Sequence, residues 1–283
     1  NDRWTFPIEA ISHQAASPEA LDEARRVSEA SRHLHIEQRP EERLETWLSL
    51  VETADSGAAI LFVDEPPEDN PRNRDEFPVQ VANRLIQLFD EARQEIVIVT
   101  AYLIPTPDLE GAVNRALERG VRLRILTKSI ASNNHLTAHS AYRNHIEDLL
   151  ASGVELHEVR TDARDRDYYM TTPVGRKQLA LHAKALIIDD DKVFVGSANL
   201  DPRSLKTNTE MGFLVISESF NLTVRDAVDG DFSAANAWRL EMQDDGKVFW
   251  VSDDETLESQ PATSFMQRIE DWFFSHLPLE DAL

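Results

Sequence analysis

Apolar and polar positions change period several times along the chain, and each change marks an element. Residues 18–34 (PEALDEARRVSEASRHL) and 40–53 (PEERLETWLSLVET) carry apolar side chains at helical spacing with a proline near each start. They predict two amphipathic helices. SGAAILFV at 56–63 predicts a buried strand, and the Pro/Asp/Asn-rich stretch that follows at 64–78 predicts an exposed loop. A regular alternation then sets in. Residues 77–93 read as a helix, EIVIVTAYLIP at 95–105 as a strand, 108–120 as a helix closed by Gly120, and VRLRILT at 121–127 as a strand. AHSAYRNHIEDLLASG at 138–153 reads as one helix closed by Gly153, with VELHEVR at 154–160 as the next strand. Strand–helix alternation at this rhythm predicts an α/β layered domain with a largely parallel sheet. A polar loop at 161–178 leads into a hairpin, and GKVFWVS at 246–252 and SFMQRIEDWFFSHL at 264–277 predict a strand and an amphipathic terminal helix. No tandem repeat occurs.

The hairpin carries the chemistry. In LHAKALIID, side chains two residues apart share a face, so His182 and Lys184 project together. DDDK at 189–192 supplies a turn, VFVG returns as the antiparallel partner, and Gly196 permits an unusual backbone angle where the strand ends. Ser197 and Asn199 then emerge beside the His/Lys pair. An ammonium and amide donors bind phosphate oxygens, and a neutral imidazole attacks phosphorus or moves a proton. No acidic cluster stands at metal-ligand spacing, so Lys184 and Asn199 are assigned the work a metal does elsewhere. No metal and no cofactor is expected. An isolated strand histidine is more often structural, and a lone lysine more often a surface charge; their combination in one hairpin sets them apart.

Composition narrows the class. A chain of 283 residues buries a substantial core, as one large domain or two small ones. It has no cysteine, which excludes disulfides and thiolate metal sites and leaves the redox compartment unread. Its apolar runs are too short to span a bilayer, and no secretory signal opens it. The first residue is Asn1 rather than Met, which points to a processed product or a piece of a longer protein. The formal net charge is −22, and such a surface repels nucleic acid and anionic membranes, a repulsion that salt shortens to a Debye length of about 8 Å. A local basic pocket remains free to bind phosphate. The acidity itself reads as a solvated surface, or alternatively as adaptation to salt.

The set His182-Ala-Lys184, Asp189, Gly196-Ser197-Ala198-Asn199 resembles, position by position, the HKD signature of the phospholipase D superfamily. DPRSLKTNTEMG continues the resemblance, with Asn208 and Glu210 in an Asn-x-Glu position. IVIVTAYLIPTP, RGVRLRILTKSIASNN, AHSAYRNHIEDLLASGVELHEVR and the ending LPLEDAL are similar to the C-terminal half of bacterial cardiolipin synthases, and NDRWTFPIEAI is similar to the segment after their first catalytic half. The resemblance implies an α/β, phospholipase D-like αβα sandwich, one catalytic half with a mixed, largely parallel sheet. Residues 1–55 then form a helical segment linking to a missing N-terminal half, and residues 56–283 the second HKD half. Family members bring two HKD motifs together across a pseudo-twofold axis; this sequence holds one, so the other comes from a missing half or a second copy.

By resemblance, one histidine of such a pair forms a phosphohistidine and the other protonates the leaving alcohol. His182, in the second motif, takes the general acid/base role. The catalytic set is His182, Lys184, Asp189, Asn199 and Glu210. Asp189 is read as a structural acceptor at the hairpin, and Glu210 as the acceptor for the far ring nitrogen of His182. Gly196, Ser197, Tyr102, His139, Tyr142 and Asn208 are expected at the substrate and phosphate site. Asn134-His135 stands where relatives place Asn/Thr-Asp. The implied function is phosphatidyl transfer between phospholipids: phosphatidylglycerol, with phosphatidylethanolamine as a second candidate. It would take place at a bacterial cytoplasmic or inner-membrane surface through peripheral contact. The alternatives are phospholipase D-type or nuclease hydrolysis, the latter disfavoured by the charge, and an inactive lipid-binding half-domain.

Overall fold

The computed structural model describes residues 57–64, 80–164 and 181–277, with eight further helical positions between 18 and 49. Pro18, Asp22, Arg25 and Arg26, and Leu44, Glu45, Leu48 and Ser49, are helical and exposed, in agreement with the helices read from the sequence at those positions. The chain divides into two compact units, Asn1–Ala54 and Asp55–Leu283. The loop reading at 64–78 and the polar loop at 161–178 fall largely outside the described residues.

Among the described residues the second unit runs β1 (Ala58–Val63), α1 (Gln80–Glu91), β2 (Glu95–Thr100), α2 (Pro107–Glu118), β3 (Arg122–Lys128), α3 (Leu136–Arg143), α4 (Ile146–Ser152) and β4 (Glu155–Val159). It continues with β5 (Lys184–Ile188), β6 (Lys192–Gly196), α5 (Pro202–Lys206), β7 (Met211–Ile216), α6 (Glu218–Asp229), β8 (Ala237–Met242), β9 (Val248–Val251), β10 (Thr256–Leu257) and α7 (Phe265–Ser275). The strands form one sheet in the order β1-β7-β6-β5-β2-β3-β4-β8-β9-β10.

The α/β class holds, but the sheet is mixed and mostly antiparallel rather than largely parallel. Only β2–β3 and β3–β4 run parallel, each joined through helices that return the chain to the same end of the sheet, whereas β6 and β7 are antiparallel although α5 lies between them. The motif hairpin enters the sheet antiparallel beside β2, with Thr100 opposite Lys184. Every strand added beyond it, through β6 and β7 to β1, is antiparallel as well.

The unbroken apolar run of β2 follows from burial on both faces. Ile96 and Ile98 join one core with Leu85, Leu88 and Phe89 of α1 and Leu109 and Ala112 of α2. Val97 and Val99 join a second core with Ile187, Val193 and Phe232, covered by Phe220, Val224 and Val228. Helices therefore flank the sheet on both sides, as three layers require. Thr106 starts α2, its hydroxyl accepting from the Leu109 amide at 3.4 Å, and Pro107 follows at the first helical position.

Two local readings are corrected. The strand expected to be buried, β1, is the outermost strand, paired only with β7, and is exposed on one face, where Leu61 retains 51% of its accessible surface, while Phe62 on the other face packs against the core beside α1. The single helix expected at 138–153 is two. Its break falls at Asn144-His145, where the Asn144 amide donates to the Ser275 carbonyl at 3.1 Å and His145 opens α4. Gly120 and Gly153 do take positive φ after their helices.

Candidate functional site

β5 begins at Lys184, so His182 stands just outside the sheet and is exposed, while Lys184 on the same face is half-buried. The Lys184 ammonium lies 3.2 Å from His182 Nδ1 and donates to the His182 carbonyl at 2.9 Å. An ammonium only donates, so Nδ1 is the acceptor and the ring proton sits on Nε2. Repulsion from Lys184, then desolvation and the charge of Lys128, hold the imidazole below its ordinary pKa. Burial lowers Lys184 as well, against the attraction of Glu210 and Asp201.

The return strand builds the other wall. Gly196 pairs with Gly212 across β6 and β7, and a Cβ at Gly196 would lie 2.6 Å from the Met211 carbonyl oxygen. The glycine is therefore needed for space. The unusual backbone angle expected there is absent, since Gly196 has no positive φ. Ser197 donates to Glu210 Oε2, and its hydroxyl accepts from the Met211 amide at 3.0 Å. Asn208 donates to Glu210 Oε1 at 3.2 Å. Glu210 is buried, and Ser197 and Asn208 take one oxygen each, so it braces the loop and is not bonded to His182. The reading of Glu210 as partner of the far ring nitrogen is corrected accordingly. Asn199 follows on the same loop, and its buried Oδ1 lacks a hydrogen-bond partner. Asp201 caps α5 by accepting from the Ser204 amide at 2.6 Å; burial raises its pKa.

Asp189 lies at the far end of β5. Its Oδ1 accepts from the amides of Arg93, Gln94 and Glu95 at 3.2, 2.8 and 3.1 Å, and its φ is 48°. Five strand residues at about 3.3 Å each separate it from Lys184, so it anchors the turn and does not reach the histidine. A hollow of about 760 Å³ at that end is lined by Asp90, Glu91, Asp190 and Asp191 among others. Its carboxylates outnumber the cations Arg93, Arg119 and Lys192, and it lies at the opposite end of β5 from His182.

Tyr102, from the loop after β2, does reach the site end. Its hydroxyl donates to Asn134 Oδ1 at 3.0 Å, and the Lys128 ammonium sits 4.5 Å over its ring and 2.8 Å from the same oxygen. Burial and then Asp201 raise the Tyr102 pKa. Lys128 is the residue the sequence reading missed. It ends β3, is 3% exposed and has no carboxylate partner among the described residues. Burial, then repulsion by Lys184, brings its pKa down to about 8. The usable signal was its place at the carboxyl end of a parallel strand, beside the point where the hairpin reverses the sheet.

His139 and Tyr142 lie elsewhere. His139 is wholly buried, with Nδ1 2.7 Å from Asp271, and Tyr142 donates to buried Glu158 at 3.1 Å. The structure turns both into the core and does not bring them to His182. Among the described residues no group of His, Asp and Glu side chains forms a metal cage, and no helix is long and apolar enough to cross a membrane.

An exposed imidazole, two cations and amide donors gather at one end of the sheet, where β2, β3 and β6 finish and β5 begins, an arrangement able to bind an anionic ester. The family comparison agrees with that class. The family described as "Cardiolipin synthase, PLD-like domain" matches residues 85–232, more than half of the chain, which therefore belongs to the phospholipase D superfamily of enzymes. Cardiolipin synthase C of Escherichia coli is 34% identical over 203 residues, 70% of this chain and 42% of that protein. Cardiolipin synthase B of the same species is 28% identical over 166 residues, 59% of this chain and 35% of that protein. The chain thus spans about two fifths of the length of the first of these relatives and less of the second. The solved structure of Nuc from Salmonella typhimurium, described as a phospholipase D family member, is 19% identical, with a TM-score of 0.42 over 63% of this chain and 97% of that one.

Proposed function

We propose that this chain is one catalytic half of a phosphatidyltransferase of the cardiolipin-synthase type, completed by a second HKD half from a longer polypeptide or a second copy. The observation that carries the reading is the pairing of exposed His182 with Lys184, backed by the buried ammonium of Lys128, which has no carboxylate partner among the described residues. A buried cation without a counter-ion is costly, and a phosphodiester oxyanion placed between the two lysines removes that cost. Asn199 adds amide donors. The apolar sheet face formed by Leu61, Val63, Val195, Met211 and Phe213 borders the hairpin's site end and is exposed.

In the proposed reaction the second half's imidazole nitrogen forms a bond to phosphorus as the bond from phosphorus to the donor alcohol oxygen breaks. His182 gives its proton to that leaving oxygen. An incoming lipid alcohol then passes its proton to His182 while its oxygen displaces the histidine, restoring both rings. The bound oxyanion offsets the repulsion from Lys184 and Lys128, so His182 becomes protonated only once substrate is present.

The test uses the two-half protein with phosphatidylglycerol in mixed micelles. Cardiolipin and glycerol should form, and His182→Ala should abolish the reaction. Lys128→Met should raise KM about tenfold with a smaller change in kcat, as loss of a charge-assisted phosphate contact predicts. Unchanged turnover in His182→Ala sinks the proposal, and release of phosphatidic acid without cardiolipin replaces transfer by hydrolysis.

A further inference from the structure

One oxygen beside the motif serves two donors at once. Asn134 Oδ1 lies 2.8 Å from the Lys128 ammonium and accepts from the Tyr102 hydroxyl at 3.0 Å. An ammonium only donates, so the amide must turn its oxygen, not its nitrogen, toward the pair. Among the described residues this oxygen is the one hydrogen-bond acceptor that Lys128 has, and the Tyr102 ring lies 4.5 Å beneath the same ammonium. Lys128 is buried, whereas Asn134 is exposed. The amide therefore stands on the solvent side of the cation.

The two donors are fixed by the fold, and their acceptor is not. The Tyr102 carbonyl accepts from the Thr100 hydroxyl at 2.9 Å and from the Leu200 amide at 3.2 Å, which ties it to the residue after Asn199. Lys128 is the last residue of β3. The stem of the loop carrying Asn134 is pinned as well: Ser129 donates to the Val159 carbonyl at 2.7 Å, and Gln267 of α7 to the Ile130 carbonyl at 2.9 Å. At the tip, Asn134 and His135 are exposed, with a local bond from the His135 amide to Asn133 Oδ1 at 3.0 Å. A neutral amide oxygen on a surface turn thus occupies the point where an ammonium and a phenol converge. Hydrogen bonds to an ionised oxygen are about twice as strong as those between neutral groups. An oxyanion at that point would also feel Lys184, whose charge is close enough to repel that of Lys128. The displaced amide would return to water.

We propose that Asn134 Oδ1 marks the position of a nonbridging phosphate oxygen: the substrate takes over both donors, Lys128 and Tyr102, as the Asn134 side chain swings out to solvent. This deepens the reading above, on which it rests, by naming a second group that holds the phosphodiester and the residue that competes with it. Tyr102 is then a phosphate ligand, and Asn134 a stand-in that every substrate has to displace.

The probe is dimethyl phosphate, a phosphodiester monoanion without lipid chains, titrated into the 283-residue chain while the His182 ring is followed by NMR. Asn134→Ala should tighten its binding about tenfold, because two hydrogen bonds no longer have to be surrendered. Asn134→Ser, whose hydroxyl is too short to reach both donors, should tighten it in the same direction. A residue that braced the site, or touched the ligand itself, would weaken binding when truncated, so the sign of the change separates the roles. Tyr102→Phe keeps the ring beneath Lys128 and removes the hydroxyl; added to Asn134→Ala it should weaken binding about fivefold. Circular dichroism spectra matching the parent's check the fold of each variant. Equal or weaker binding in both Asn134 variants, no effect of Tyr102→Phe in that background, or no binding by any form overturns the proposal. Binding requires no turnover, so a two-half protein inactive on lipid whose chain shows the tightening would refute the catalytic reading alone. An active two-half protein whose Asn134 variants bind no tighter would refute this proposal alone.

Discussion

Replacing Asp189 by alanine removes the acceptor for three consecutive backbone amides, at Arg93, Gln94 and Glu95, at the end of the hairpin away from His182. The amides of Arg93 and Gln94 sit at exposed positions, where water takes over, so each lost charge-assisted bond costs about 1 kcal/mol. The Glu95 amide is partly buried and its bond is worth about 2 kcal/mol. Alanine must also hold the left-handed backbone at φ 48°, which aspartate tolerates better, adding about 1 kcal/mol. These terms predict a loss of about 4–5 kcal/mol for Asp189→Ala. Asp189→Asn keeps one oxygen and the backbone tolerance, so its loss should be about 1–2 kcal/mol. Urea unfolding of the 283-residue chain measures both. Under folding conditions the NMR titration of His182 should match the parent in Asp189→Asn, because the carboxylate does not reach the ring. If Asp189→Asn displaced that titration while leaving the urea midpoint unchanged, Asp189 would act on the histidine and its assignment as an anchor would be wrong.

Gly196→Ala should destabilise by about 2–3 kcal/mol, since its Cβ meets a backbone oxygen rather than a movable side chain; a urea midpoint equal to the parent's would contradict the close approach of β6 and β7. Burial pushes Glu158 up from 4.5 to about 7 and pulls His157 down from 6.5 to about 4. The raised carboxyl makes the folded chain hold an extra proton, so its contribution falls as pH rises from about 4.5 to 7, and the lowered imidazole does the opposite between about 4 and 6.5. Glu158→Gln should therefore uncover a stability that climbs with pH through the lower window and no longer declines near 7; urea midpoints across pH that track the parent's would rule this out.

What the sequence made legible was local. Period-two spacing put His182 and Lys184 on one face, and the turn and return strand followed from DDDK and VFVG. Each depends only on residues within a few positions. The mixed sheet was not legible, because the alternation of helix and strand says nothing about which strand inserts beside β2. That β5 does so, antiparallel, depends on a register between Thr100 and Lys184. The exposure of β1 depends in turn on its lying outermost, paired only with β7. Residues 201–212 are read for their motif, not for helix or strand, and no element is expected through 245, where the structure holds α5, β7, α6 and β8. Lys128 escaped notice because what marks it is spatial: the Tyr102 ring beneath its ammonium and the Lys184 charge beside it come from distant parts of the chain. The position of Asp189 was legible as a hairpin acceptor, but its donors lie about 95 residues upstream. His139 and Tyr142 were misplaced for the same reason: their partners Asp271 and Glu158 come from distant elements.

The hairpin also explains why its two functions do not interfere. Its anchor, Asp189, is satisfied entirely by backbone amides, and its working pair stands a strand length away, where the sheet ends. Rigidity is thus created at one end and used at the other. At the working end, Lys184 holds His182 in place through Nδ1 and disfavours a second proton on it. With Nδ1 accepting from the ammonium, the ring carries its proton on Nε2. An arriving phosphate oxyanion draws Lys184 and Lys128 toward itself and cancels the field that kept the imidazole neutral. On the proposed reading, protonation of His182 follows substrate occupancy through electrostatics. The inward carboxylate of Glu210 contributes by bracing Ser197 and Asn208 and by raising Lys184, which keeps that ammonium charged in its half-buried position. The two lysines and the carboxylate thus set the protonation state of a ring that none of them needs to exchange a proton with.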